Sequence, residues 1–222
     1  MTLFTTAYFP PISYMACFLV EDKPAIEAFE TYHKQTYRNR CRVMTANGVE
    51  SLSVPVIKTN GSHTMTKDII VSYKEHWQQI HRRCLESAYK ASPYFDHYYP
   101  YLKPIFEERF ERLIDLNDAT LKAVLRMLKK EKEIVHTSGY VHEVGQDLRE
   151  TFSPKKPIDP TLFAAYYQVF SAKFPFAPDL SILDLVFNEG PESIHSLSTL
   201  HFPFLTSPDK RSSHDKCSSA FS

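Results

Sequence analysis

Apolar and polar positions change their spacing near Trp77. Before it, short β-prone runs alternate with turn residues. After it, apolar residues recur at helical intervals, three and four apart. Residues 2–8 (TLFTTAY) predict a strand, which Phe9-Pro10-Pro11 breaks. Residues 12–20 (ISYMACFLV) predict a helix of about two turns with Pro11 near its start. Residues 24–30 (PAIEAFE) predict a second strand, Ile26 alternating with Glu27. A strand–helix–strand opening belongs to an open α/β sheet, where ligands sit off the carboxyl ends of strands. That puts Tyr8 to Tyr14 at the mouth of a site. A proline-stiffened loop with aromatic packing explains the same residues equally well.

The segment TYHKQTYRNRCRV (31–43) is basic and aromatic. On a strand, Arg38, Arg40 and Arg42 share one face, with Asn39 and Cys41 on the other. Three guanidiniums on a face suit a carboxylate or phosphate; a solvated edge, or ion pairs to the chain's own carboxylates, is the plainer reading. Asn47-Gly48 between two strand-like runs signals a hairpin, and Pro55 a strand end. Residues 68–73 predict another strand. Trp77, Ile80, His81, Cys84, Leu85 and Ala88 form the stripe of a helix over 75–91, with His81 one turn from Trp77. Residues 94–101 are an aromatic cluster, followed by helices over 103–112 and 116–131. A short strand is predicted at 133–138, a linker over 139–160 and a helix over 161–170.

The run SILDLVFNEGP (181–191) predicts a helix buried around most of its circumference and stopped by Gly190-Pro191. Asp184 and Asn188 share a face, with Glu189 beside them. Buried polar groups need partners, so these side chains either cap neighbouring loops or face a ligand. A short helix follows over 191–200. From His201 the chain is Ser-rich and aperiodic, which predicts a domain over 1–200 and a disordered tail over 201–222. The fold class expected is α/β: one mixed-sheet domain, β-rich in its N-terminal half and mainly helical in its C-terminal half.

Composition narrows the function. Lys+Arg and Asp+Glu are both 26 in 222 residues, so nucleic acid is not the expected partner. Five glycines and no GxGxxG or GxxxxGK[ST] leave no phosphate loop in the sequence. Four scattered cysteines, with no CxxC, and no leader-like N-terminus predict a cytoplasmic protein with free thiols. No run is long enough to span a membrane. His142, Glu143, Asp147, Arg149 and Glu150 are dense in charge, but their spacing fits no zinc pattern, so no metal site is assigned. The sequence names no cofactor.

Several pieces together resemble the WbqC-like protein family. They are Tyr8-Phe9-Pro10-Pro11 with Tyr14, Arg38-Asn39-Arg40-Cys41-Arg42, Leu52-Ser53-Val54-Pro55-Val56, Trp77 with His81, Ala88-Tyr89 with Ser92-Pro93-Tyr94-Phe95, Leu116-Asn117 and the SILDLVFNEGP run. The resemblance covers residues 3–198. It implies a setting in O-antigen polysaccharide biosynthesis and a glycine-transferase type of role. Relative to the family, the 139–160 segment is short.

These readings converge on a transferase acting on an anionic activated donor and an acceptor. The candidate catalytic residues are His81, Glu189 and Asp184. The candidate substrate-binding residues are Tyr8, Tyr14, Asn39, Arg40, Arg42, Trp77 and Asn188. His81 or Glu189 would serve as general base, and Arg40 and Arg42 would neutralise a leaving phosphate or a carboxylate. No nucleophile motif is visible, so the alternative is a non-catalytic module that binds a ligand or partner in an aromatic-basic cleft.

Overall fold

The computed structural model describes residues 1–205. Its centre is a parallel four-stranded sheet built from very short strands: β1 (Thr2–Phe4), β2 (Pro24–Ile26), β7 (Val135–His136) and β8 (Gln146–Asp147), in the order β7-β2-β1-β8. β1 pairs β2 as Leu3↔Ala25 and pairs β8 as Leu3↔Asp147. Thr2, Leu3 and Phe4 are all fully buried, as a central parallel strand covered on both faces requires. The chain after Phe4 leaves the sheet earlier than its β-propensity predicts. Its polar groups bind elsewhere: the Thr5 hydroxyl donates to Glu30, and the Tyr8 amide to the Tyr37 carbonyl.

Helix α1 (Ile12–Val20) connects β1 to β2, with the bounds that its apolar run predicts. Between β2 and β7 lie two antiparallel pairs and three helices. The first pair is the Asn-Gly hairpin of β3 (Arg40–Thr45) and β4 (Gly48–Ser53), closing at Thr45↔Gly48. The second is β5 (Val56–Ile57) with β6 (Ile70–Val71). Helix α2 (Trp77–Tyr89) buries Trp77, His81, Leu85 and Ala88 of the predicted stripe, while Cys84 is half-buried and Ile80 is exposed.

Helix α3 (Phe95–Glu107) begins inside the aromatic cluster, eight residues before the helix expected at 103. Phe95, Tyr98, Leu102 and Ile105 form its buried stripe. Pro100 and Pro104 both lie on its exposed side, where water can satisfy the carbonyls they leave unpaired. Helix α4 (Leu113–Met127) follows.

Two further expectations are corrected. The linker expected over 139–160 contains β8, which enters the central sheet. The helix expected over 161–170 is only a single 3-10 turn at Pro160–Leu162. Beyond it, Tyr166 and Gln168 are drawn onto Asp184, and the Gln168 amide bonds both the N–H and the C=O of Ala177. Those side-chain bonds replace the ladder a helix would have supplied.

Helix α5 (Ile182–Glu189) is packed against α1, α3, α4, β3 and α6 (Ser193–Ser198). Its start is set by the Ser181 hydroxyl, which accepts from the Leu183 amide, and its end by Gly190 at φ 56°. The expected tail falls mostly on 206–222, outside the described residues. Of the residues before it, Phe202 is buried and stacks on Phe204.

The fold is therefore a mixed α/β domain, with its strands concentrated in the N-terminal half and its helices in the C-terminal half. No helix among the described residues is long and apolar enough to cross a membrane.

Candidate functional site

The sheet order reverses at β1. The chain steps outward from β1 to β2 to β7, then returns to lay β8 on the other side of β1. In open α/β sheets such a reversal leaves a crevice beyond the carboxyl ends of the strands. Here that crevice is an open cleft of about 960 Å³ lined by Phe29, Glu30, Thr31, His33, Tyr140, Asp147, Arg149, Glu150 and Thr151.

Each wall comes from a strand end. The segment after β2 carries Glu27 and Glu30, and β8 carries Asp147 with Arg149 and Glu150 just beyond it. Glu27 is fully buried and saturated: it accepts from the Phe29 and Val141 amides and the Thr137 hydroxyl, and lies 3.4 Å from Arg149 Nη1. Glu30 accepts from Thr5 and from two nitrogens of Arg38, Nε at 2.8 Å and Nη2 at 2.7 Å. Arg38 is 1% exposed, yet the same Nη2 reaches the solvent-facing carboxylate of Glu150 at 3.2 Å. Burial opposes its charge, but the bonds and field of Glu30 and Glu150 outweigh burial and raise its pKa. Arg149 grips Asp147 through Nε and Nη2, and its guanidinium lies 4.9 Å from the Tyr140 ring. Those bonds hold the Asp147 carboxyl below the usual range.

The cleft thus has a rigid floor of saturated ion pairs and two carboxylates, Asp147 and Glu150, with side chains 46% and 69% exposed. Carboxylates held in place by arginine keep lone pairs free for hydroxyl or amine donors.

The residues nominated from sequence lie elsewhere, in three groups. Tyr8, Trp77 and His81 form one. The Tyr8 hydroxyl is 3.0 Å from His81 Nδ1, and the imidazole packs edge-on to Trp77. His81 is 3% exposed, and burial lowers its pKa to about 4, partly offset by a bond to the Ser53 backbone. Tyr14 is separate, in the core, donating to the Thr5 carbonyl among Phe4, Phe18 and Phe152.

The second group is Asn39, Arg40 and Arg42. Arg40 and Arg42 are half-buried opposite Cys41, as the alternation predicts, but Arg38 precedes β3 and turns inward instead of joining their face. Asn39 donates to the Val54 carbonyl, and Arg42 lies beside Tyr37 and Asp179.

The third group is on α5. Asp184 is fully buried and accepts from Tyr166 at 2.6 Å and Gln168 at 2.8 Å; burial raises its pKa. Asn188 donates to the Asp184 carbonyl, and Glu189 is half-buried at the helix end. None of the three groups lines the strand-end cleft.

Sequence reasoning passed over Glu27 and Glu30; it allowed Arg38 an ion pair without naming the partner, and noted Asp147, Arg149 and Glu150 as a charged group without assigning them a site. The charge density of 142–150 was the available signal; its mixture of acids with an arginine fits ion pairing better than metal binding. No group of three His, Cys, Asp or Glu able to hold a metal ion occurs among the described residues.

The architecture is an α/β domain with a charged, hydrogen-bonding cleft at the strand reversal. By sequence, the chain belongs to the WbqC-like protein family, whose model matches residues 6–156. That match includes all six charged residues of the cleft. The chain is also similar to the uncharacterized protein Rv1507c of Mycobacterium tuberculosis (strain ATCC 25618 / H37Rv), 26% identical over 216 residues, covering 84% of this chain and 89% of that protein. No solved structure matches.

Proposed function

We propose that the chain is a cytoplasmic group transferase of surface-polysaccharide or related small-molecule metabolism, and that its acceptor sits in the strand-end cleft. The observation that carries this reading is the Arg38–Glu150 contact, a buried guanidinium holding an exposed carboxylate at the mouth of the cleft. A carboxylate so held can take a proton without moving far, as a general base must.

In this reading Glu150 accepts the proton of an acceptor hydroxyl or amine as that atom bonds to the transferred carbon. The bond to the donor's leaving group breaks, and the leaving group departs with the electron pair. Arg40 and Arg42 remain the candidates for an anionic donor. His81, Asp184 and Glu189, with Tyr8, Tyr14, Asn39, Trp77 and Asn188, lie outside this cleft and take no step in this reading. The alternative, a binding module without turnover, keeps the same cleft and removes only the chemistry.

The test is a thermal-shift panel of nucleotide-sugars, acyl-CoAs, amino acids and sugars against wild type and Glu150→Gln, followed by turnover assays on each hit. A ligand at about 100 times its Kd stabilises by roughly 2.7 kcal/mol. Turnover that Glu150→Gln abolishes while binding persists supports the transferase. Binding without turnover supports the module.

A further inference from the structure

We propose that Tyr32, Arg40 and Lys58 form a phosphate site that holds the donor; this deepens the reading of Arg40 as a donor contact and rests on it. Arg38, Arg82 and Arg149 are each paired with a carboxylate, and Arg42 lies beside Asp179. Arg40 has no such partner. Its side chain makes no ion pair or hydrogen bond with any described residue, yet its Nε is buried. A buried N–H without an acceptor costs free energy unless something from outside the chain bonds it. The hairpin cannot supply the missing charge: cross-strand partners share a face, and the face of Arg40 and Arg42 adds only Ser53 and Ser51 from β4.

A second unpaired cation meets the same place. Lys58 Nζ lies 5.3 Å from the centre of the Tyr32 ring and makes no ion pair with a described residue. Tyr32 is only 2% exposed, and its hydroxyl bonds no described residue. Burial pushes its pKa up to about 12, against the lowering fields of Arg38 and Arg40, so the hydroxyl keeps its proton and can donate. Arg38 is spent on Glu30 and Glu150. What remains is one guanidinium, one ammonium and one phenol O–H around a single tyrosine, three donors with no acceptor of the chain. Two positive charges match the two negative charges of a phosphate monoester, whose oxygens accept from several directions at once; a carboxylate carries half that charge. Tyr32 follows Thr31, which lines the strand-end cleft, so the phosphate site adjoins the place assigned to the acceptor.

The experiment is thermal melting of the full chain in inorganic phosphate, pyrophosphate, acetate and chloride, titrated at equal ionic strength. It compares wild type with Arg40→Gln, Lys58→Gln and Tyr32→Phe. Lys103→Gln, on an exposed lysine of α3 paired with Glu107, controls for general charge. In chloride the three site variants should melt no lower than wild type, because none of them loses an ion pair. Phosphate and pyrophosphate should raise the melting temperature above the chloride value, and acetate should not. Arg40→Gln and Lys58→Gln should each weaken the phosphate response at least about fivefold, the worth of one charge pair at 4 Å in water. Tyr32→Phe should weaken it about tenfold, through loss of a hydrogen bond to a charged group.

No response to phosphate or pyrophosphate at tens of millimolar overturns the site. An equal response to acetate overturns the phosphate assignment. Weakening by Arg40→Gln alone overturns the three-donor site and leaves Arg40 as the donor contact. A response that none of the three changes, or that Lys103→Gln lowers equally, overturns both. Phosphate binding as expected, in a chain that turns over no donor, supports the site and sinks the transferase.

Discussion

Arg38 Nη2 lies 3.2 Å from the carboxylate of Glu150, a residue 112 positions further along the chain. The contact joins the segment before β3 to the segment after β8, and so ties the long excursion between β2 and β7 back onto the sheet. Its two ends differ in kind: Arg38 is sealed, and Glu150 is mostly in water.

Arg38→Ala is expected to destabilise the fold by about 3–5 kcal/mol, because it strands the Glu30 carboxylate in the interior. Arg38→Lys should recover only part of this, since a lysine cannot reproduce the Nε and Nη2 fork on Glu30. Urea unfolding of the two variants measures both losses. Equal stability of wild type and Arg38→Ala would show that the pair contributes nothing.

Glu150→Gln, by contrast, should change stability by less than about 1 kcal/mol, since its ion pair is solvent-screened. A melting curve within a few degrees of wild type is the expected result. This contrast separates the proposed chemical role of Glu150 from the structural role of Arg38.

His81 predicts a pH dependence. Its folded pKa of about 4 lies below the ordinary value of 6.5 because burial disfavours the charged ring. The unfolded chain therefore binds this proton more readily than the folded one. The stabilisation is present in full above pH 6.5 and is lost as pH falls toward 4, by about 3 kcal/mol in all. Chemical denaturation at pH 7.5, 5.5 and 4.5 should show the loss in wild type. His81→Gln, lacking the titrating ring, should show a shallower slope across that window.

Gly190→Ala should cost about 1–3 kcal/mol. A Cβ there would lie 2.6 Å from the ring of Tyr94, and the backbone sits at φ 56°, where side chains are strained. If Tyr94→Ala restores part of the loss in the double variant, the ring contact is the cause; no restoration would assign the cost to the backbone.

The sequence by itself determined the elements whose signals are local. The largely apolar run 12–20 sets α1, Asn47-Gly48 sets the hairpin, and the Trp77 stripe sets the buried face of α2. Ser181 and Gly190-Pro191 bracket α5 because a cap and a stop act within a turn of the residues that carry them.

Tertiary structure alone decided the rest. β7 and β8 are two residues long, too short for any alternation, and exist only because β1 and β2 offer them backbone partners. The irregular course after Leu162 follows from a carboxylate 16 or more residues away that captures Tyr166 and Gln168. Arg38 has the same spacing as Arg40 and Arg42 and a different fate, because Glu30 and Glu150 meet it only once the sheet has formed. A site assembled from strand ends far apart in the chain leaves no local period, so its charges stand in the sequence as a dense patch whose partners only the fold reveals.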